Sequence, residues 1–157
     1  MNKALVLIKW PAMAATMEWA KDSQVSEQEA RAAGKITLEN DREKLVAKSC
    51  EGTENIYDCT EAGLWALLKS VSEGEGSGLM VDASRIPVLK LTMRLAAEKR
   101  VSPYTADGRG CMIAVSTQGS ALSAQLCSLG IPAAVIGRLT GLPGPVVVQS
   151  AQGIQVL

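Results

Sequence analysis

Histidine and phenylalanine are absent from this 157-residue chain, and aromatic residues make up only 3% of it. Without histidine, the chain cannot form Ser-His-Asp or Cys-His nucleophile arrangements, a histidine-ligated zinc site or an imidazole acid–base group. Any catalysis would have to use carboxylates, lysine, cysteine or backbone groups. Without phenylalanine, the core must consist of leucine, valine, isoleucine, alanine and methionine.

Net charge is also absent, because 16 Lys and Arg balance 16 Asp and Glu. The sequence has no basic cluster and therefore argues against nucleic-acid binding, which depends on phosphate contacts. No apolar run approaches the ~18 to 20 residues needed to cross a membrane. The apolar run at residues 4–8 ends at Lys9 and is shorter than a secretory h-region of about 7 to 15 residues. We expect a buried strand there, in a soluble cytoplasmic protein.

The four cysteines show no C-x-x-C spacing that would indicate a metal or redox motif. Cys111 and Cys127 lie in apolar runs, where cysteine behaves as a small hydrophobic residue. We expect Cys50, Cys59, Cys111 and Cys127 to be reduced thiols, and we predict no metal site.

Apolar runs typical of buried strands alternate with amphipathic helical patterns along the chain. The pattern predicts strands at 4–8, 79–81, 111–115 and 133–139, a terminal antiparallel hairpin of 146–148 and 154–156, and helices opening at Pro11, Pro87 and Ser120. This order predicts an α+β fold, a mixed β-sheet covered by helices, in a single domain spanning 1–157.

Two segments are polar and carry competing interpretations. Residues 22–48 hold eleven of the 32 charged residues and suggest two short exposed helices, or else an arm that binds a partner. Together with Trp10 and Trp19, which we expect to be exposed, this stretch is a candidate homodimer face. Residues 72–78 are rich in Gly, Ser and Glu but lack the Lys-Ser/Thr ending of a phosphate loop, and we interpret them as a turn.

The stretch around Asp58 predicts the start of a helix. Asp58 can cap it, Glu61 lies three residues on, and Leu64, Leu67, Leu68 and Val71 follow at helical spacing. Backbone N–H groups in such a first turn could hold an anion or a metal-bridged phosphate. The alternative is that Asp58 and Glu61 only cap the helix, and that Gly63 lets another backbone approach closely.

Five short blocks lie in a set order along the chain, at residues 4–10, 57–64, 81–87, 106–115 and 129–140. Taken in this order, they resemble the C-terminal domain of the aminoimidazole ribonucleotide (AIR) synthetase-related superfamily, most closely its hydrogenase-maturation dehydratase (HypE) branch. Residues 57–64 are similar to its signature H-D-V-T-E-G-G-L, although Tyr57, Cys59 and Ala62 replace histidine, valine or proline, and glycine.

The resemblance implies a scaffold whose usual partner is an N-terminal domain that binds ATP and magnesium. This sequence contains no counterpart of that domain. The hydrogenase-maturation member works on a C-terminal cysteine, whereas this sequence ends in Gln155-Val156-Leu157. We therefore expect that this chain does not run the family chemistry alone.

Two classes of function follow from the resemblance. In the first, the chain is a non-catalytic module that binds a small ligand or a partner and self-associates, without a cofactor. In the second, it is the substrate-side subunit of an ATP-dependent phosphotransferase or dehydratase, completed in trans by a nucleotide-binding chain that brings ATP and magnesium. Ligand- or anion-binding candidates are Asp58, Thr60, Glu61, Gly63, Asp107 and Arg109, with Asp82 near the same cleft; no catalytic residue is assigned. For Asp82, Asp107 and Arg109 the alternative is an ordinary solvated loop or turn residue. The stretch Asp107-Gly108-Arg109-Gly110 resembles a tight turn more than half of a dinucleotide-binding fingerprint.

Overall fold

The computed structural model describes residues 2–157, which contain seven strands, six α-helices and one 3₁₀ turn. The strands are β1 (Ala4–Ile8), β2 (Thr53–Asp58), β3 (Leu79–Asp82), β4 (Met112–Ser116), β5 (Ala133–Leu139), β6 (Val146–Ser150) and β7 (Gly153–Val156). The helices are α1 (Met13–Asp22), α2 (Glu27–Gly34), α3 (Asp41–Ser49), α4 (Leu64–Glu75), α5 (Lys90–Lys99) and α6 (Gly119–Ser128), with a 3₁₀ turn at Ala83–Arg85.

Within residues 2–157 the strands form one seven-stranded sheet in the order β2-β4-β1-β5-β3-β6-β7. Strands β3 and β6 run parallel, while β1 pairs antiparallel with both β4 and β5. The sheet is therefore mixed, which confirms the predicted α+β class. The terminal hairpin of β6 and β7 is confirmed as well, and it lies in the same sheet as β1.

Strand β1 is buried on both faces because helices cover both sides of the sheet around it. Leu5 and Leu7 face a core that includes Leu64 and Leu68 of α4. Val6 and Ile8 face a second core with Leu122 and Leu126 of α6 and Ala47 of α3. An uninterrupted apolar strand is what burial on both faces requires, and the sequence prediction for residues 4–8 is confirmed.

The helix predicted to begin at Asp58 begins instead at Leu64. Asp58 is the last residue of β2, paired with Met112 of β4, so ladder hydrogen bonding overrides the local capping pattern. Gly63 precedes α4 with φ 91° and ψ −176°, a region open almost only to glycine. The four apolar positions predicted for this helix do face the core. At its other end α4 continues to Glu75, so only Gly76–Gly78 of the predicted turn lies outside the helix.

The charged segment forms two short helices, as predicted, but part of it is anchored to the sheet. Helix α2 buries none of its side chains, whereas α3 buries Glu43 and Ala47. Lys9, at the end of β1, lies beneath this segment: its Nζ donates to the carbonyl oxygens of Glu39 at 2.6 Å and Thr37 at 3.3 Å. The same Nζ lies 3.6 Å from the carboxylate of Glu43, with side chains 5% and 12% exposed. A buried lysine thus fastens residues 37–43 to the end of β1.

A surface ion pair joins α2 to α5 and predicts a pH effect. Hydrogen bonding from Arg94, then from the backbone of Ser26, lowers the pKa of Glu29 to about 2 from its ordinary value of 4.5. Because the folded-state pKa is depressed, the stabilisation is present above about pH 4.5 and is lost as the pH falls through about 2. We expect Glu29→Gln to remove this part of the acid dependence, measured by urea unfolding between pH 2 and 6. Glu27→Gln, on the exposed face of α2, is the control; equal acid sensitivity in wild type and Glu29→Gln would contradict the assignment.

Candidate functional site

A cleft of about 490 Å³ lies between α1 and the loop that follows α5. Its volume falls within the range of small-molecule sites, about 300 to 1,000 Å³. Helix α1 supplies one wall and residues 101–109 the other. The lining residues are Ala14, Ala15, Glu18, Trp19, Val101, Thr105, Ala106, Asp107 and Arg109.

The charged wall of this cleft is an Asp107–Arg109 pair. Asp107 Oδ2 accepts from Arg109 Nη2 at 2.7 Å, and both carboxylate oxygens lie 3.1 Å from Nε. Asp107 Oδ1 also accepts from the backbone N–H of Arg109 at 3.1 Å, which closes a tight turn. The turn expected from Asp107-Gly108-Arg109-Gly110 is therefore present, and it holds the guanidinium in a fixed orientation.

The pair shifts both ionisation equilibria toward the charged forms. Burial alone would raise the pKa of Asp107, but hydrogen bonds from the side chain and backbone of Arg109 outweigh it and leave this pKa below its ordinary value. Hydrogen bonding to Asp107, and then its charge, raise the pKa of Arg109 further. The Asp107 carboxylate and the Arg109 guanidinium in the cleft wall therefore stay charged at neutral pH.

Residues 60–63 pack against the loop of residues 101–109 that lines the cleft. The carbonyl oxygen of Thr60 accepts from the N–H of Gly108 at 3.3 Å. At Gly63 a Cβ would lie 2.7 Å from the carbonyl carbon of Thr105, so only glycine permits this approach of the two backbones. The predicted role of Gly63 in close packing is thus observed, and Thr60 contacts the loop through its backbone and not its hydroxyl, which accepts from Ala62 N–H at 3.2 Å.

Glu61 projects from the same turn toward the cleft wall. Its carboxylate lies 3.8 Å from Nη1 of Arg109, and its side chain is 78% exposed. Of the six candidates, Asp107 and Arg109 line the cleft, Glu61 approaches Arg109, and Thr60 and Gly63 support the loop. Their part in binding a ligand stays a prediction.

Asp58 lies outside this group. Its carboxylate accepts from Nδ2 of Asn40 at 3.0 Å and forms an ion pair with Lys44 of α3. Because residues 59–63 are not helical, no helix N-terminus follows Asp58 directly, and the prediction of a helical first turn there is wrong. Ligand binding at Asp58 stays a prediction. The first turn of α4 is also occupied, since the N–H of Trp65 donates to the carbonyl of Tyr104 at 3.1 Å.

Asp82 and Tyr57 are also directed away from the cleft. Asp82 caps the 3₁₀ turn by accepting from Ser84, and it lines a different cleft with Arg85 and Arg138. The hydroxyl of Tyr57 donates to Glu75 at 2.5 Å; burial first, and then this carboxylate, raise the pKa of Tyr57 to about 12. The expectation that Asp82 shares the cleft of Asp107 is therefore wrong.

Sequence reasoning missed the α1 wall of the cleft. Helix α1 is fixed against the loop by a hydrogen bond from Ala15 N–H to the carbonyl of Asp107, 3.0 Å long. Trp19, expected on an exposed dimer face, is half-buried and lines the cleft, and Trp10 is half-buried too. The available signal was the pair of small residues Ala14 and Ala15, which leave space beside a loop.

A second cleft, of about 620 Å³, shares Thr105 with the first. It is lined by Trp65 and Tyr104, whose rings stack 4.5 Å apart at 19°, and by uncharged polar side chains such as Ser84 and Gln155.

Within residues 2–157 no group of three or more His, Cys, Asp or Glu side chains could hold a metal ion. In the same residues no helix is both long and apolar enough to span a membrane.

Comparison with models of protein families gives a match over most of the chain. The model of the AIR synthase related protein, C-terminal domain, matches residues 12–149. The chain belongs to this family. The comparison with curated proteins gives no match.

Solved structures agree with the family on the fold of this AIR synthase related domain. Escherichia coli HypE, a hydrogenase maturation protein, superposes with a TM-score of 0.79 at 17% identity, covering 99% of this chain and 49% of that one. Thiamine-monophosphate kinase from Stenotrophomonas maltophilia gives 0.61 at 18%, covering 96% and 50%. A HypE–HypF complex gives 0.68 at 13%, covering 99% and 52%. The chain spans about half the length of these structures.

Proposed function

We propose that this AIR synthase related domain is a non-catalytic module that binds a small ligand in the cleft between α1 and residues 101–109. The observation that carries the proposal is the Asp107–Arg109 pair at the cleft wall. Asp107 engages Nε and Nη2 of the guanidinium, while Nη1 has only the 3.8 Å contact to Glu61. A guanidinium that is fixed on one side and reachable on the other is suited to donate a hydrogen bond to a ligand oxygen.

The lining residues indicate the chemistry of the ligand. Trp19 and the two alanines of α1 offer an apolar surface for a ring or another flat group. The two carboxylates of Glu18 and Asp107 outnumber the single guanidinium of Arg109, so the lining of the cleft carries a net negative charge. A multiply charged anion is therefore a poor fit. We infer a ligand with a flat apolar part and one hydrogen-bond acceptor directed at Arg109.

Ligand-observed NMR is the first test, with thiamine monophosphate and a set of uncharged heterocyclic fragments as probes, and with ATP as the multiply charged anion that should not bind. A binder should change Trp19 fluorescence, an effect that Trp19→Phe removes. We expect Arg109→Gln to weaken binding of that probe about tenfold or more, because a hydrogen bond to a charged group contributes roughly 1.5 to 3 kcal/mol. Arg31→Gln is the matched control, since Arg31 pairs with Glu27 on the exposed helix α2.

Two results would overturn the proposal. One is that no probe binds at millimolar concentration to the wild-type protein. The other is a probe that binds wild type and Arg109→Gln with equal affinity, because that ligand would occupy a different surface.

The second candidate is a substrate-side subunit of an ATP-dependent phosphotransferase or dehydratase, completed in trans by a chain that supplies ATP and magnesium. Its support is the fold that this domain shares with about half of HypE and of thiamine-monophosphate kinase. The two candidates differ in ATP turnover. The module alone should hydrolyse no ATP, whereas the subunit should gain ATP-dependent activity when a co-purifying nucleotide-binding chain is added.

We further propose self-association as a homodimer in the cytoplasm. The HypE–HypF complex supports only the more general point that a protein of this fold associates with another protein. The four cysteines are free thiols, in keeping with a reducing compartment. Sizing chromatography at several protein concentrations tests the dimer.

A further inference from the structure

Two of the cysteines face each other across neighbouring strands. Asp58, the end of β2, pairs with Met112, the start of β4, in an antiparallel register. One residue further out, Cys59 therefore lies opposite Cys111. The N–H of Cys59 donates to the carbonyl oxygen of Cys111 at 3.0 Å, so the ladder extends to this pair.

Both side chains belong to the same core. Cys59 is 5% exposed and Cys111 is fully buried, and they pack in the cluster that contains Leu64 and Ile113. Residues directly opposite in an antiparallel pair have Cα atoms about 4.5 to 5.5 Å apart. This spacing lies inside the range of about 4.4 to 6.8 Å that disulfides require.

We propose that Cys59 and Cys111 are a modification site: on exposure to a peroxide they form an intramolecular disulfide. The bond would join the two segments that build the cleft wall, because residues 60–63 follow Cys59 and Gly108 and Arg109 precede Cys111. Gly108 packs directly on Cys59, since a Cβ on it would lie 2.6 Å from Sγ. This inference is independent of the ligand assigned to the cleft.

The reaction proceeds in two steps and consumes one peroxide. The Cys59 thiolate attacks a peroxide oxygen, the O–O bond breaks, and the departing hydroxide takes up a proton to give water and a sulfenic acid. Cys111 sulfur then attacks the Cys59 sulfur and displaces hydroxide, which leaves as water with the Cys111 proton. Two thiols lose two electrons and two protons, and hydrogen peroxide is reduced to two waters.

The two thiols differ in acidity in the direction that these two reaction steps require. The hydrogen bond from Cys111 lowers the pKa of Cys59 below its ordinary value. The interaction with Cys59, together with burial, raises the pKa of Cys111 well above its own. Cys59 is therefore the thiol that reacts first with peroxide, and Cys111 the one that resolves the sulfenic acid.

The other two cysteines are not placed to compete for this bond. Cys50 lies in the core on the opposite face of the sheet. Cys127 is exposed on α6, where its Sγ contacts the carbonyl of Ala133 at 3.4 Å. Because Cys127 is exposed, we expect it to oxidise between molecules, which makes Cys127→Ser the proper background for the test.

The experiment treats purified Cys127→Ser protein with hydrogen peroxide, blocks remaining thiols under denaturing conditions and records the intact mass. We expect a loss of about two mass units with one thiol left, reversed by dithiothreitol. Digestion with trypsin and a Glu-specific protease should then yield a cross-link between peptides 55–61 and 110–138. Each of these peptides contains a single cysteine in this background, so the link identifies Cys59 and Cys111.

Cys59→Ser and Cys111→Ser, each in the same background, should show no intramolecular mass loss. The proposal is overturned if the Cys127→Ser protein keeps three free thiols after treatment, if Cys59 is only overoxidised, or if the cross-link contains Cys50. The mass measurement needs no ligand. Its failure therefore leaves the binding proposal standing, and a failed binding test leaves this one standing.

Discussion

Gly63→Ala should lower the free energy of unfolding by about 3 kcal/mol or more, for two independent reasons. First, φ 91° with ψ −176° is a conformation that residues with a Cβ avoid. Second, the new methyl carbon would lie 2.7 Å from the backbone of Thr105, which is not a flexible side-chain end that can move aside. A loss of this size lowers Tm by about 6 to 12 °C in a chain of this length.

Gly76→Ala provides the matched control at the other end of α4. Gly76 also has a positive φ, 63°, but no heavy atom lies within 4 Å of the position its Cβ would take. It should therefore cost only the left-handed backbone penalty, about 1 kcal/mol. Equal losses in the two variants, measured by urea unfolding, would show that contact between residues 63 and 105 contributes nothing to stability.

Lys9→Met should be comparably destabilising, by about 3 kcal/mol, although the methionine keeps the apolar stem of the side chain. The substitution leaves the nearly buried carboxylate of Glu43 without its cation, and it removes the donor to the carbonyls of Thr37 and Glu39. Residues 37–43 should loosen with it. Hydrogen exchange of α3 amides, alongside chemical unfolding, measures both effects.

The double variant Lys9→Met/Glu43→Met separates charge from packing. If the orphaned carboxylate causes the loss, removing it should recover at least 1 kcal/mol of it. Arg31→Met breaks an exposed ion pair with Glu27 and should cost less than about 1 kcal/mol. A Lys9→Met protein as stable as Arg31→Met would contradict a structural role for the buried ammonium.

Strands with strong local patterns were predictable from the sequence. Residues 4–8 and 133–139 are strands with the predicted bounds. In residues 4–8 the continuous apolar run suits a strand that is covered on both faces. The prediction that a helix begins at Asp58 was wrong for the opposite reason. Its spacing to Glu61 imitates a capping box, and only the long-range pairing of β2 with β4 reveals that it ends a strand.

The candidate site was predictable only in part. Asp107 and Arg109 were recognisable because an Asp-Gly-Arg-Gly turn is a local feature. Their neighbours on α1 were not, since α1 contacts the loop across more than 80 residues of sequence. Lys9 likewise marks the end of an apolar run, and nothing local indicates that residues 37–43 cover it.

The central position of β1 determines when the sheet can form during synthesis. Both neighbours of β1 lie more than a hundred residues downstream, as the pairing of Ala4 with Ser116 and Arg138 shows. Leu5, Val6 and Leu7 therefore emerge from the ribosome long before a partner strand has been synthesised. Such nonlocal pairing folds slowly and leaves an apolar strand open to wrong contacts in the meantime. The nascent chain should need protection, for which a holding chaperone is the natural agent, until β5 has emerged.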